Sequence, residues 1–227
     1  LAAEKVDSAK QVPLYLPPTE EYGPKYFVVH SGVSPVIEEV DQLLELANKL
    51  PETFFSLCLY SPKGFGKSHL LRLLEKRALE RGISQAKIAL IDIELSEDSI
   101  GQYVACYNQL ISSGGLLLAS LDVPTIDSSL SPHLLSRLKR GRMLEVKLPE
   151  ESELMPLLKS LLARRNLALS DRALQYVLRR TARDPLSFSE IFARISTFSL
   201  AEMKPAGLGI IRQLMNTEPS KKGLVGK

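Results

Sequence analysis

Gly64, Gly66, Lys67 and Ser68 stand in the segment Ser61-Pro62-Lys63-Gly64-Phe65-Gly66-Lys67-Ser68. Their types and spacing fit the later positions of the phosphate-loop pattern G-x-x-x-x-G-K-[ST]. In such a loop, successive backbone N–H groups curl around phosphate oxygens, and the dipole of the following helix adds positive potential. The lysine reaches the β and γ phosphates, and the serine hydroxyl binds Mg²⁺. The expected nucleotide-binding set is Gly64, Phe65, Gly66, Lys67, Ser68 and His69. Ser61 stands where the pattern opens on glycine. A serine holds that turn if φ stays negative, and Pro62 restricts it to extended backbone. The alternative is an ordinary Gly-containing turn with a chance Lys-Ser.

A magnesium nucleotide needs a second, acidic element at the end of another buried strand. Asp92 and Glu94 in "KIALIDIEL" offer it. Strand side chains alternate, so both carboxylates share one face across Ile93. The competing reading is two carboxylates at a strand end with no ligand. Three scattered histidines give no metal-ligand spacing, and no tightly bound metal is expected.

Elements must carry these groups. "TFFSLCLY", "AKIALIDIEL" and "LLLASLD" are unbroken apolar runs of the kind buried parallel strands show. Between them, "SHLLRLLEKRALERG" and "DSIGQYVACYNQLISSGG" read as helices that end at Gly82 and Gly114. "KYFVVH" reads as a short strand before the first. "SPVIEEVDQLLELANKL" reads as a helix capped by Ser34, with Pro35 in its first turn and a stripe of Val36, Val40, Leu43, Leu44 and Ala47. Alternating strands and helices with short links predict an α/β layer with a parallel sheet flanked by helices.

After Pro149 only helical patterns follow, including one capped by Ser170 and one capped by Asp184 with Pro185 at its first position. The expected division is a flexible arm over 1–24, a nucleotide-binding α/β domain over 25–149, a small all-helical domain over 150–216 and a disordered tail over 217–227. The 227 residues are 44% hydrophobic and 24% charged, an ordinary globular composition. A net charge of +3 is too small to argue for direct nucleic-acid binding. No apolar run approaches a membrane span and no secretory signal opens the chain. The two cysteines, Cys58 and Cys106, sit in apolar segments, which points to a reducing, cytoplasmic setting.

"SPKGFGKSHLL", "YNQLISSGGLLLASLDVP" and "SPHLLSRLKRGRMLEVKLP" together resemble the AAA+ core of the DnaA family of replication initiators, and more closely its short, Hda-like regulators. The resemblance runs from about Gln11 to Met215. It implies a P-loop AAA+ domain followed by a helical lid. It implies that Gln11, Leu14 and Leu16 of "QVPLYL" form a peptide that binds the β subunit of the DNA polymerase III sliding clamp. An extended segment of that kind seats leucines in an apolar groove while an amide fixes its register. The other reading of "QVPLYL" is a short edge strand on this domain. The resemblance also makes Arg137, in "SRL", an arginine finger acting in trans on ATP held by DnaA. The chain ends where an initiator would begin its DNA-binding domain, which favours the regulator.

Departures from the family pattern accompany the resemblance. The stretch between the loop helix and "YNQL" is short, so that either one strand and helix are missing or the acidic motif is fused onto an earlier strand. The polar sensor position falls on Ser120 or Asp122, with Leu121 between them. The sensor arginine of the lid aligns with Leu186, and Arg183 substitutes only if the helix is rotated. These departures imply weak or absent hydrolysis in cis.

The expected function is therefore a regulator that docks on the clamp and stimulates ATP hydrolysis by DnaA. Its own site would hold ADP or another nucleoside diphosphate, with ATP and Mg²⁺ left open. DNA is contacted only indirectly, no membrane is involved, and a homo-oligomer stays open. The alternatives are a self-contained AAA+ ATPase or loader of another replication protein, and a scaffold that binds no nucleotide.

Overall fold

The computed structural model describes residues 26–126, 130–201 and 205–216. The arm with Gln11, Leu14 and Leu16 and the tail lie outside the described residues. Among the described residues, four parallel strands form one sheet in the order β2-β3-β1-β4. They are β1 (Phe54–Ser61), β2 (Ile88–Ile93), β3 (Gly115–Asp122) and β4 (Arg142–Glu145). Helices α1 (Ser34–Lys49), α2 (Lys67–Glu80), α3 (Glu97–Ser113) and α4 (Pro132–Leu138) cover the two faces.

Strand alternation divides the sheet between two cores. Leu57 and Leu59 of β1 and Leu116 and Leu118 of β3 face α1 and α2, where they meet Val40, Leu44, Leu70 and Leu74. Cys58, Leu117, Ala119 and Leu121 face the other way, onto Tyr103, Tyr107 and Leu110 of α3 and Leu134 and Leu138 of α4. β3 lies between β2 and β1, and its first seven residues are buried. That position explains the unbroken apolar run in its sequence.

A third core belongs to α5 (Leu154–Arg164), α6 (Asp171–Leu178), α7 (Pro185–Ala201) and α8 (Leu208–Asn216). It contains Leu158, Leu174, Phe188, Phe192, Ile195 and Ile211. Caps fix two of its helices: Ser170 Oγ accepts from the Ala173 N–H, and Asp184 Oδ1 accepts from the Ser187 N–H at 2.8 Å. The helical unit is tied to the segment before α1. The Ser31 N–H and hydroxyl donate to the two Glu153 carboxylate oxygens at 2.8 and 2.6 Å, and Ser160 Oγ donates to the Tyr26 carbonyl at 2.7 Å.

Four readings of the sequence change. The segment around Phe27–His30 forms no strand. Phe27 packs on the α1/α2 core while Val28 packs on the helical one, so its alternation bridges two cores instead of two faces of a sheet. Ser34 is the first residue of α1 and caps nothing. The cap position is Val33, whose N–H and that of Ser34 both reach the His30 carbonyl. β2 is an edge strand, half-buried over most of its length, because it pairs only with β3. α4 and β4 were not legible as elements. β4 has four residues and owes its place to pairing with β1.

A single strand, β2, separates α2 from α3, so this stretch is short because β2 carries the acidic position directly beside β3. Cys58 and Cys106 are both free thiols, and burial pushes the Cys58 thiol up to about 12, which leaves it unreactive. Among the described residues no helix is long and apolar enough to cross a membrane.

Candidate phosphate-binding site

The loop leaves β1 at Ser61 and turns into α2 at Lys67. Gly64 and Gly66 have φ of +94° and +91°, the left-handed region that β-carbons disfavour. Gly66 caps α2, and its carbonyl accepts from the Leu70 N–H at 2.9 Å. A strand end, two left-handed glycines and the start of a 14-residue helix make a loop of the phosphate-binding type.

Lys67 lies under this loop, only 3% exposed. Its ammonium donates to the Ser61 carbonyl at 2.9 Å, the Ser61 hydroxyl at 3.1 Å and the Pro62 carbonyl at 2.9 Å. Asp122 Oδ1 completes the set at 2.7 Å. Ser61 thus does more than hold a turn. Its buried hydroxyl is a lysine partner that a glycine would not supply.

Sheet register brings the remaining polar groups to the loop. Asp92 is paired with Ser120, and Asp122 with Ser61. Ser120 and Asp122 share one face of β3, and Leu121 between them points into the opposite core. Both sensor candidates therefore face the loop side. Asp92 Oδ1 accepts from Ser68 Oγ at 3.1 Å and also from Ser120 Oγ. Glu94 follows the last residue of β2. It is exposed, and its N–H donates to Ser99 Oγ at 2.9 Å.

Helix α7 abuts the loop. The Leu186 N–H donates to the Gly64 carbonyl at 3.3 Å. A β-carbon added at Gly64 would lie 2.9 Å from Leu186 Cβ and 3.2 Å from Asp184 Oδ1. The residue aligned with a sensor arginine therefore does sit over the loop, but as a leucine. Arg183 is exposed and pairs with Glu151.

His69 and Phe65 turn away from this centre. Phe65 packs on the α1/α2 core. The His69 ring meets Phe27 edge-on at 5.1 Å. Burial, helped by the nearby Arg164 charge, pulls its pKa down to about 4, so the imidazole is neutral at pH 7. Arg137 lies on the α3/α4 side. Its guanidinium donates to the His133 carbonyl at 2.9 Å and stands 5.7 Å from the Tyr107 ring centre.

Of the residues expected from the sequence, Ser68 and Asp92 are in hydrogen-bond contact, whereas Lys67 contacts Ser61, Pro62 and Asp122. Sequence reasoning treated Ser61 only as a turn residue and Asp122 only as a sensor, because neither contact with Lys67 has a local signature.

No protein-family model matches the chain, and no curated protein does. Solved structures do. Domain III of the Thermotoga maritima replication initiation protein DnaA superposes with a TM-score of 0.69 at 17% identity, covering 88% of this chain and 98% of that one. AMPPCP-bound DnaA from Aquifex aeolicus gives 0.55 at 21% identity, covering 76% of this chain and 65% of that one. The Thermotoga maritima RuvB Holliday junction branch migration motor gives 0.58 at 17% identity, covering 80% and 68%. The fold is the α/β fold of AAA+ domains, with a parallel sheet flanked by helices.

Proposed function

We propose that the chain is a nucleotide-binding regulator of replication initiation. It docks on the sliding clamp through Gln11, Leu14 and Leu16, holds a nucleoside diphosphate at Gly64–Ser68, and presents Arg137 to ATP on DnaA. The observation that carries the nucleotide site is the two-glycine loop with Lys67 buried against it and the Ser68–Asp92 hydrogen bond at the start of its helix, in a fold shared with an AMPPCP-bound DnaA.

The residues present fit a magnesium nucleotide. A β-carbon at Gly66 would meet nothing within 4 Å, so space lies open beside the loop. The Ser68 hydroxyl and Asp92 carboxylate are hard oxygen donors 3.1 Å apart. Mg²⁺ on a nucleotide takes few protein ligands and fills its remaining positions with phosphate oxygens and water. Lys67 and the N-terminus of α2 would hold the phosphates, and Ser68 and Asp92 the cation. The cation would offset phosphate charge.

Leu186 at the loop favours a regulatory ligand over turnover in cis, since a leucine offers phosphate no donor. Arg137 lies on the other side of the sheet from its own loop, which suits action on a neighbour. The Ser68–Asp92–Ser120 cluster favours instead a self-contained ATPase.

A thermal shift with saturating ADP and Mg²⁺ tests the ligand. Binding at a hundred to a thousand times Kd stabilises the fold by ~3–4 kcal/mol. No shift supports the nucleotide-free scaffold instead. Steady-state hydrolysis by the chain alone, abolished in Lys67→Ala, would establish the ATPase reading. Clamp-dependent stimulation of DnaA hydrolysis that needs Gln11, Leu16 and Arg137 would establish the regulator.

A further inference from the structure

Lys67 has more acceptors than protons. An ammonium carries three donors, and four oxygens stand within 2.7–3.1 Å of this one. Three of them, the Ser61 carbonyl, the Ser61 hydroxyl and the Pro62 carbonyl, are neutral and belong to the entry of the loop itself. The fourth, Asp122 Oδ1, is charged and makes the shortest contact, 2.7 Å.

The two partners differ in environment. Lys67 is 3% exposed, whereas Asp122 is 51% exposed. A buried ammonium needs a counter-charge. The parallel register supplies one, because it sets Asp122, the last residue of β3, beside Ser61, the last residue of β1. The Asp122 carboxylate therefore occupies the position around Lys67 where an incoming anion would make its contact. It is also the one member of the set able to leave, since the other three oxygens are fixed in or beside the loop backbone and the aspartate side chain is open to water.

We propose that Asp122 is an internal competitor for phosphate: it neutralises Lys67, and a nucleotide phosphate must displace it to bind. The strength of this ion pair then sets how tightly the site holds nucleotide. The proposal rests on the reading of Gly64–Ser68 as a nucleotide site and adds to it the residue that tunes its affinity. It differs from a sensor role in sign. A side chain that senses phosphate strengthens binding, and its removal weakens it. A competitor weakens binding, and its removal strengthens it.

The test is the dissociation constant for ADP, measured by calorimetry on the full chain at fixed Mg²⁺ and ionic strength. Wild type, Asp122→Asn, Asp122→Ser and Lys67→Ala are compared, with melting curves for each. Asp122→Asn keeps the shape and removes the charge, so ADP should bind roughly two- to fivefold more tightly, the scale of one partly exposed charge contact. Asp122→Ser should move in the same direction, and it carries the test if the Asn variant does not fold. Lys67→Ala should lose binding. If wild type binds ADP and the Asp122 variants bind equally or more weakly, the competitor role is overturned while the nucleotide site stands. If neither wild type nor the Asp122 variants bind ADP, the nucleotide site itself is wrong, and the competitor role falls with it.

Discussion

The Leu186 backbone N–H donates to the Gly64 carbonyl at 3.3 Å, joining the first turn of α7 to the phosphate-type loop. One hydrogen bond thus couples the helical unit to the loop between β1 and α2. Gly64 can make this contact because it has no side chain and sits at φ +94°.

Gly64→Ala should therefore be costly on two counts. Left-handed backbone strains an alanine by about 1–3 kcal/mol. Its methyl would also press on Leu186 Cβ at 2.9 Å. Gly66→Ala meets open space and should cost only the backbone strain. Denaturant titration of both variants checks the order: Gly64→Ala falls below Gly66→Ala.

Leu186→Arg places a guanidinium at the loop. The side chain is 39% exposed, so the arginine can be accommodated without a core cavity. ADP affinity should rise several-fold through a charge-assisted contact with phosphate. Stability without nucleotide should change by less than about 1 kcal/mol, as for other exposed sites. An unchanged affinity would mean that position 186 does not reach the ligand.

Ser68→Ala and Asp92→Asn should abolish the Mg²⁺ dependence of nucleotide binding while leaving the fold intact. Both residues are exposed, and their mutual hydrogen bond contributes on the order of 1 kcal/mol. Binding titrations with Mg²⁺ and with a chelator separate this from simple loss of affinity.

His69 makes stability depend on pH. Its folded pKa is about 4, below the ordinary value of 6.5. Between these values the unfolded chain binds the extra proton and the native one does not. Stability is therefore full above pH 6.5 and falls as pH drops toward 4. His69→Gln should flatten the slope in that window. Burial of His30, whose pKa is also lowered, leaves a residual slope of the same sign.

Arg137→Ala should lose the contact with the Tyr107 ring and the bond to the His133 carbonyl, lowering stability by about 1 kcal/mol. If Arg137 acts on ATP of a neighbour, Arg137→Lys should also lose stimulation of DnaA hydrolysis, since lysine lacks the two-pronged grip. Exposed Arg140 is the comparison. Loss of stimulation in Arg140→Ala with Arg137→Ala active would move the finger by one turn.

The loop was legible in the sequence because everything that defines it is local. Two glycines, a lysine and a serine follow an apolar run and open an amphipathic helix, and each step is a short-range constraint. The caps at Ser170 and Asp184 were legible for the same reason, since a side chain reaches its own helix three residues on. Ser34 misled because Val33 and Ser34 both bond to the His30 carbonyl, which begins the turn earlier than the Ser-Pro pair suggests.

The sequence by itself determined the strand–helix alternation, the glycine loop with Lys67 and Ser68, and the change to helices after Pro149. These follow from periodicity and backbone preference, which neighbouring residues set among themselves. Only the tertiary structure decided that β2 is an edge, that β4 exists, that Ser120 and Asp122 share the loop face, and that Asp122 holds Lys67. Parallel pairing joins residues far apart in the chain, and its register depends on how two cores pack on opposite faces of the sheet. Without that register, the ion pair beneath the loop has no sequence signature.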